Sequence, residues 1–404
     1  MSASELAAWL TRLESLHPTE IELGLERVSA VAENLQLLQP GARVITVAGT
    51  NGKGSTVAVL DVLARDAGLR TGVFTSPHLL RYNERIRIDG QLASDAEIVS
   101  AFSAIDAARD GISLTYFEFG ALAALLLFEQ AGLDVLILEV GLGGRLDAVN
   151  IVDPELAIIT SISIDHQDWL GHDRELIGLE KAGILRPGIT AILADPDPPD
   201  SVLRRIQELG CTATYYDPDC LPLDPGVLRH ENLTAAWQAA SHMGFAPSLQ
   251  RLQALLPDIH CPGRLQQMQV AGRELVFDVA HNPAAVANLA AWLEAQTRRP
   301  RIAVFAALSD KDIHAMIRAC WGCFDGWFLS GLPGVARAIP PDDLEAVSGE
   351  LRALGSEADV LICDDPGHTW QQVLDGTSVG DTVVVFGSFL TVAAFMQVLR
   401  EERS

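Results

Sequence analysis

The fold is decided by one stretch of the sequence, Val44-Ile-Thr-Val-Ala-Gly-Thr-Asn-Gly-Lys-Gly-Ser-Thr56. Its β-branched start predicts a short strand, its glycines predict a loop, and the apolar residues from Val57 to Leu63 predict a helix. Strand, glycine loop and helix are typical of a nucleotide-binding site, because backbone N–H groups and a lysine face the phosphates and a hydroxyl holds Mg²⁺. The common form of this loop would need a glycine at Val47, so Gly49 to Ser55 is predicted to be a shorter version.

Lysine is rare in this chain. Lys53, Lys181 and Lys311 are the only lysines, and the other 26 of the 29 basic residues are arginine. Solvated charge is therefore carried by arginine, and a lysine is more often chemically required. A compact ammonium that can lose its proton suits a phosphate site better than a guanidinium does. Lys53 is predicted to contact the β- and γ-phosphates, whereas Lys181 has the alternative of a solvated ion pair with Glu180.

Three predicted strands end in side chains that could bind a metal ion. Ser76 lies just past a short strand that opens a long polar loop, and the apolar run Val135–Leu138 leads directly to Glu139. A third strand, Leu156–Ile164, is followed by Asp165 and His166. Because the carboxyl ends of parallel strands share one edge of a sheet, we expect Ser76, Glu139 and His166 to lie near the phosphate loop. The alternatives are a surface connector for the loop that follows Ser76, a structural role for Glu139 and a structural hydrogen bond for His166.

The composition excludes several classes of protein. A length of 404 residues suggests two domains, and a net charge of −24 argues against a nucleic-acid surface. The start of the chain lacks a basic segment followed by an apolar core, and the most apolar run, Gly120–Phe128, is too short to span a bilayer. The close pair Cys320 and Cys323 is expected at a buried helix edge. We expect a cytoplasmic protein that binds neither nucleic acid nor membrane.

Strands and helices alternate in both halves of the chain, which predicts an α/β fold. The first part, 1–262, is predicted to be a doubly wound, mostly parallel sheet domain around the phosphate loop. A hinge near Arg264 leads to a smaller, Rossmann-like α/β domain, 263–404. In it, Asp278 and His281 flank a strand end and are candidates to reach a nucleotide.

Eight motifs occur together and in order, and with them the chain resembles the folylpolyglutamate synthase/dihydrofolate synthase family of the Mur ligase superfamily. The resemblance extends from about residue 20 to residue 400. The motifs are Gly49-Thr-Asn-Gly-Lys-Gly-Ser55, Thr75-Ser-Pro-His78 with Tyr82-Asn-Glu-Arg-Ile86, Leu138-Glu-Val-Gly-Leu-Gly-Gly-Arg-Leu-Asp147, Asp165-His166, Glu180-Lys-Ala-Gly-Ile184, Pro262-Gly-Arg264, Asp278-Val-Ala-His-Asn-Pro283 and Gly387-Ser-Phe389. The stretch Leu114-Thr-Tyr-Phe-Glu-Phe119 resembles the bacterial bifunctional enzymes in particular.

The resemblance implies a role for each matching residue. ATP would be bound by Thr50, Asn51, Gly52, Lys53, Gly54, Ser55, Asn232, Arg264, Asp278 and His281. Two Mg²⁺ ions would be held by Ser55, Ser76, Glu139, His166 and Lys181, with Lys181 carbamylated. The residues expected to act in catalysis are Lys53, His166 and Lys181. The pterin would be bound by Arg81, Thr115, Tyr116, Phe117, Glu118, Leu146, Asp147 and Ala148, and the loop from Arg81 to Arg87 would close over it.

The implied activity is an ATP-dependent amide ligation through an acyl phosphate, in which a monomer adds L-glutamate to dihydropteroate and to reduced folates. Val149 stands where the family usually has threonine, which affects the expected pterin preference rather than the chemistry. Two alternatives remain. One is a Mur-type ligase for another carboxylate, which would need an additional N-terminal domain. The other is a nucleotide-binding regulator, which would not require Glu139, His166 and Lys181 together.

Overall fold

A computed structural model describes residues 3–17, 19, 22–296, 300–354 and 359–402. The chain divides into two compact units, Met1–His260 and Cys261–Ser404. Each unit is an α/β structure built on a parallel-rich sheet, so the predicted fold class is confirmed. The division lies two residues before the position that the sequence indicated.

The N-terminal unit contains ten α-helices and eight strands among its described residues. The helices are α1 (Ala3–Leu16), α2 (Glu26–Asn34), α3 (Lys53–Asp66), α4 (Asp95–Ala108), α5 (Tyr116–Ala131), α6 (Gln167–Leu170), α7 (Arg174–Lys181), α8 (Asp200–Leu209), α9 (His230–Met243) and α10 (Leu249–Leu255). The strands are β1 (Arg43–Ala48), β2 (Thr71–Phe74), β3 (Ile86–Ile88), β4 (Gln91–Leu92), β5 (Val135–Glu139), β6 (Leu156–Ile159), β7 (Thr190–Leu193) and β8 (Thr212–Tyr215).

These eight strands form one sheet in the order β4-β3-β2-β5-β1-β6-β7-β8. The six strands from β2 to β8 in that order are parallel, and β3 and β4 add an antiparallel edge. Strands β1, β5 and β6 are buried on both faces, as expected of apolar parallel strands covered by helices. Val47 is level with Glu139 on β5 and Ile158 on β6, so the carboxyl ends of three central strands lie side by side.

Two sequence predictions about this sheet are wrong. The segment after Ser76 was expected to be a loop, but it contains a 3₁₀ turn (Tyr82–Arg85) and the strands β3 and β4. These strands are too short for a clear alternating pattern, and pairing with β2 stabilises them. The strand expected to reach Ile164 ends at Ile159, because the residues that follow bond to the phosphate loop instead of continuing the sheet.

The C-terminal unit contains five α-helices and six strands among its described residues. The helices are α11 (Pro283–Ala295), α12 (Ile313–Cys320), α13 (Pro341–Ala353), α14 (Pro366–Gly376) and α15 (Phe389–Glu401). The strands are β9 (Gln266–Val270), β10 (Arg273–Asp278), β11 (Arg301–Phe305), β12 (Gly326–Ser330), β13 (Asp359–Cys363) and β14 (Thr382–Phe386).

The sheet of this unit has the order β13-β12-β11-β14-β10-β9. Strand β9 is antiparallel to β10, and the other neighbours are parallel. The sequence did not predict β9, because it is rich in glutamine and follows the expected hinge. Cys320 and Cys323 are buried at the end of α12, as expected. Over the described parts of both units, no helix has the length and apolar character needed to cross a membrane.

Candidate active site

The phosphate loop lies at the carboxyl end of β1, where the sequence predicted it. The strand ends at Ala48, and α3 begins at Lys53. Gly52, the N-cap, has a φ of 93°, and no side chain caps the helix. A β-carbon at Gly52 would lie 2.4 Å from Asn232 Oδ1, so only glycine fits there. An uncapped helix start directs N–H groups and a positive dipole end outward, which is the arrangement that binds an anion.

The loop is anchored to the segment that follows β6. The Thr50 N–H donates to Ser161 O at 2.7 Å, and the Thr50 hydroxyl donates to Ser163 O at 3.0 Å. The Asn51 amide donates to Ser163 Oγ at 3.1 Å. The side chains of Thr50 and Asn51 therefore hold the loop in place, and the backbone is the part that can face a nucleotide. Asn232, in the first turn of α9, is brought against the same loop from a distant part of the sequence.

Two of the three lysines in the chain meet at one carbonyl oxygen of this loop. Lys53 Nζ donates to Gly49 O at 2.9 Å and to Thr50 O at 3.2 Å. Lys181 Nζ donates to the same Gly49 O at 3.0 Å. Lys181 is buried. Burial, followed by the nearby charge of Lys53, lowers the pKa of Lys181 from its ordinary value of 10.5 to about 7.

The alternative reading of Lys181 as a solvated ion pair with Glu180 does not hold. Glu180 bonds instead to Arg145, at 2.8 Å between carboxylate and guanidinium. The Arg145 N–H also donates to Glu180 O, and the Asn150 amide donates to both Arg145 O and Gly183 O. These bonds fix the glycine loop after β5 against the end of α7. The backbone around Lys181 is thereby held against the loop that follows β5.

The predicted metal ligands lie on neighbouring elements at the same edge of the sheet. The backbone N–H of Ser76 donates to Glu139 Oε2 at 3.2 Å, which joins the ends of β2 and β5. Ser55 is buried in the first turn of α3. His166 has a left-handed φ of 51°, its N–H donates to Asp165, and its side chain is 37% exposed.

The carboxylate of Glu139 and the hydroxyls of Ser55 and Ser76 are hard oxygen donors of the kind that suits Mg²⁺, whereas His166 supplies a nitrogen. Among the described residues, no three His, Cys, Asp or Glu side chains gather as a metal cluster. The predicted set has only two side chains of those types, Glu139 and His166. Its other members are hydroxyls and Lys181, which would supply oxygen only after modification.

Apart from Arg81, the residues predicted to bind the pterin lie in two segments, one at the start of α5 and one after β5. Thr115 caps the helix by accepting from Glu118 N, and Glu118 accepts from Thr115 N at 2.7 Å. Glu118 also forms an ion pair with Arg27 at 3.1 Å. Both side chains are buried in these contacts. Tyr116 and Phe117 are partly exposed, so their rings are the parts of this motif open to a ligand.

A second predicted pterin segment lies beside the first. A β-carbon built on Gly141 would be 2.7 Å from the Phe117 ring, so the loop after β5 packs closely on the start of α5. Asp147 accepts from three backbone N–H groups of that loop and the turn after it, those of Gly141, Leu142 and Val149. Burial raises the pKa of Asp147 to about 6. Leu146 is partly exposed and Ala148 is buried.

The arginines of this region lie in different surroundings. Arg81 is largely exposed and lies 3.6 Å from Asp95 at the start of α4. The sequence analysis missed Arg27, which pairs with Glu22 and Glu118, because nothing in its spacing links it to α5. The sequence assigned Arg85 no role of its own beyond its place in the loop from Arg81 to Arg87. In the structure its guanidinium lies over the rings of Tyr82 and Tyr116.

Three predicted residues of the C-terminal unit come together around the start of α15. Asp278 accepts from Leu265 N at 2.9 Å and from Ala280 N at 2.8 Å, and burial raises the pKa of its carboxyl. His281 bonds to Val279 O at 2.8 Å through Nδ1. The Arg264 guanidinium lies 5.6 Å from the Phe389 ring centroid, and the His281 ring lies 5.8 Å from it. Phe389 therefore links Arg264 and His281.

Comparison with known proteins places both units in one family. The sequence model of the Mur ligase middle domain matches residues 47–219, and that of the Mur ligase glutamate ligase domain matches residues 263–389. The dihydrofolate synthase/folylpolyglutamate synthase of Escherichia coli K12 is 41% identical to this chain, and the alignment covers 100% of the chain and 97% of the relative.

Solved structures give the same result. The structure of Escherichia coli FolC in complex with DHPP and ADP is 40% identical with a TM-score of 0.90, and the match covers 100% of this chain and 99% of that one. A bifunctional folylpolyglutamate synthase/dihydrofolate synthase with Mn, AMPPNP and L-glutamate bound is 44% identical with a TM-score of 0.86, over 98% of each chain. The chain belongs to the dihydrofolate synthase/folylpolyglutamate synthase family, a branch of the Mur ligases.

Proposed function

We propose that this protein is an ATP-dependent ligase that joins L-glutamate to dihydropteroate and to the γ-carboxyl group of reduced folates. The observation that carries the proposal is the meeting of Lys53 and Lys181 at the carbonyl oxygen of Gly49. A nucleotide-binding loop alone needs one lysine for the phosphates. A second, buried lysine, which reaches the same loop from the end of α7, supports a site in which phosphoryl transfer takes place.

In this proposal the N-terminal unit binds ATP and the pterin, and residues 263–404 form the glutamate-ligase domain. The backbone of Thr50, Asn51, Gly52 and Gly54 receives the phosphates at the uncapped start of α3, and Lys53 offsets their charge. Asn232 supports that loop from α9. Arg264, Asp278 and His281 are proposed to contact the nucleotide, which is consistent with their common position around Phe389.

Ser55, Ser76, Glu139, His166 and carbamylated Lys181 are proposed to hold two Mg²⁺ ions. When bound, these ions neutralise charge that develops on the phosphoryl oxygens. A carbamate forms when a neutral amine adds to CO₂ and loses a proton. Lys181 suits this reaction because its side chain is buried and donates to the carbonyl oxygen of Gly49. Burial and the charge of Lys53 also lower its pKa to about 7. The product is an anion with two oxygens, which an unmodified lysine cannot offer to a metal ion.

The chemistry needs activation of a carboxylate, which is a poor electrophile. Transfer of the γ-phosphoryl group of ATP to the acceptor carboxylate gives an acyl phosphate and ADP. The glutamate amine then attacks the carbonyl carbon, and the C–O bond to phosphate breaks. Lys53 and the helix start stabilise charge during the first step, and Tyr116 and Phe117 position the acceptor. No side-chain nucleophile is required.

We propose a monomer that works in the cytoplasm, the compartment that supplies ATP. Light scattering coupled to gel filtration tests the oligomeric state. A mass that corresponds to two chains at micromolar concentration contradicts the monomer.

The test of the function is ADP release by the purified protein with ATP and Mg²⁺. Dihydropteroate plus glutamate is compared with tetrahydrofolate plus glutamate, and each acceptor is also supplied alone. Turnover that requires acceptor and glutamate together establishes the ligase, and the ratio of the two acceptors shows whether both reactions occur. ADP release that is indifferent to both acceptors contradicts the proposal and favours a ligase for another carboxylate or a nucleotide-binding regulator.

A further inference from the structure

We propose that Arg85 binds the α-carboxylate on the terminal glutamate of a folate acceptor, which is the carboxylate that does not react. Arg85 thereby distinguishes glutamylated acceptors from dihydropteroate. This inference rests on the proposed function. The sequence resemblance pointed to Arg81 as the arginine of the acceptor site. The structure points instead to Arg85, four residues further along the same 3₁₀ turn.

Arg85 is held in a fixed position by three neighbours. Its guanidinium carbon lies 5.4 Å from the ring centroids of both Tyr82 and Tyr116, and its Nε donates to His78 Nδ1 at 2.8 Å. Tyr82 is itself buried and packs edge-on against Tyr116 and Phe102. The group is therefore pre-oriented, which reduces the entropy lost when it binds a ligand.

The charge of Arg85 is not matched within the described residues. No carboxylate there lies within ion-pairing distance of its guanidinium, and neither Nη1 nor Nη2 has a hydrogen-bond partner there. Other arginines of this region are paired: Arg27 with Glu118, Arg81 with Asp95 and Arg145 with Glu180. In a chain with a net charge of −24, a held arginine without a carboxylate is a site for an external anion. Its Nη1 and Nη2 form a fork that matches a carboxylate.

Contacts connect Arg85 to the candidate acceptor site. Tyr116, which lies under the guanidinium, precedes Phe117, and the Phe117 ring packs against Gly141 just after Glu139. On the other side, His78 is two residues after Ser76, whose N–H bonds to Glu139. Arg85 is thus linked by both of its neighbouring segments to the residues proposed to surround the reacting carboxylate.

The chemistry of the two acceptors identifies the anion. Dihydropteroate has a single carboxylate, which must lie near Lys53 to receive the phosphoryl group. A folate with one glutamate has two carboxylates, and the one that does not react stays negatively charged throughout. Arg85 lies among Tyr82, Tyr116 and His78 rather than at Lys53. The non-reacting carboxylate is therefore the group that Arg85 can pair with, and only the glutamylated acceptor carries it.

The test compares KM for the two acceptors in Arg85→Gln and Arg85→Lys. Loss of a charge-assisted, forked pair predicts a rise of about 10- to 100-fold in KM for tetrahydrofolate in R85Q. KM for dihydropteroate is expected to change by less than about threefold, because this acceptor has no second carboxylate for Arg85 to bind. R85K keeps the charge without the fork, so its KM is expected to fall between those of wild type and R85Q. The matched control is Arg12→Gln, because Arg12 also lies over an aromatic ring, Trp9, but is already paired with Asp106.

Direct binding of each acceptor by calorimetry, without ATP, separates this inference from the proposed function. If the wild type turns over neither acceptor, the proposed function is wrong. The ratio of the dissociation constants of the two acceptors still tests the role of Arg85. Equal weakening of both acceptors in R85Q, or unchanged affinity for tetrahydrofolate, overturns the inference. Arg87→Gln is measured in parallel, and a larger shift there than in R85Q also overturns it. If R85Q does not fold, as judged by circular dichroism, R85K carries the test.

Discussion

The two units contain the same local arrangement, a central strand followed by a glycine turn and a helix, but they use it differently. In the N-terminal unit β1 leads through Gly52 into α3, and no side chain caps the helix. In the C-terminal unit β14 leads through Gly387 into α15, and Ser388 accepts from Thr391 N at 3.0 Å. The Thr391 hydroxyl in turn donates to Ala306 O at 2.5 Å.

The difference shows what turns a glycine turn into a binding site. At α15 a serine side chain accepts a hydrogen bond from a helix N–H, so this N–H is not available to an anion. The cap stabilises the C-terminal unit instead. At α3 no side chain caps the helix start, two lysines are held beside it, and we propose that the phosphates of ATP bind there. A strand, a glycine and a helix are therefore insufficient evidence for phosphate binding. The state of the N-cap and the neighbouring charge decide between the two uses.

The largest effect is expected from Lys181→Ala, which removes the second lysine from the functional turn. We expect kcat to fall by at least about 100-fold, because the proposed oxygen ligands of Mg²⁺ are lost. Short carboxylates such as acetate or formate should restore part of the activity. Glu155→Gln is the control, since Glu155 forms an exposed ion pair with Arg43 at the start of β1, and its kcat should stay within about threefold of wild type. Unchanged turnover in K181A contradicts the role in metal support.

The next effect is expected from Lys53→Met, which keeps the shape of the side chain and removes its charge. The Kd for ADP should rise by about 10- to 100-fold, the value of a charge-assisted contact to phosphate. Calorimetric titration with ADP and Mg²⁺ measures it. Because Lys53 also bonds to Gly49 O and Thr50 O, a thermal melt must show that the loop variant is folded. A folded K53M with wild-type ADP affinity contradicts the assignment of the α3 turn as the nucleotide site.

A smaller effect, and of a different kind, is expected from Ser388→Ala. Loss of the N-cap should lower the free energy of unfolding by about 1 kcal/mol, within the usual range for such caps. Urea unfolding followed by tryptophan fluorescence measures this. ADP affinity should be unchanged, because the α15 turn is closed by its own side chains. If S388A lost ADP affinity at unchanged stability, the distinction between the two turns would be wrong, since both turns would then bind the nucleotide.

The smallest functional effect is expected from Val149→Thr, which restores the residue usual in the family. Val149 is buried beside the Asp147 turn, and its N–H donates to Asp147. A hydroxyl there would need a new partner, so we expect stability to fall by about 1 kcal/mol. KM for dihydropteroate should stay within about threefold of wild type. A larger drop in KM would mean that the valine, and not only the turn, tunes acceptor binding.

Much of the fold could be predicted from local patterns. The strands β1 and β5 and the helix α3 follow directly from apolar runs and glycine breaks, because burial on both faces of a strand leaves a continuous apolar signal. The short edge strands β3, β4 and β9 could not be predicted, since two to five polar or mixed residues carry no such signal and depend on a neighbouring strand. The end of β6 at Ile159 was misplaced for a related reason, as its continuation bonds to the distant Thr50.

The candidate site divides in the same way. The sequence by itself determined which residue types are present: a phosphate loop with Lys53, a carboxylate at the end of β5 and two further lysines in an arginine-rich chain. Only the tertiary structure decided which of them meet, namely Lys181 with Gly49 O, Asn232 with Gly52 and Arg85 with two tyrosine rings. The physical reason is that residue chemistry is local, whereas burial, pKa and pairing depend on contacts between residues that are far apart in the chain.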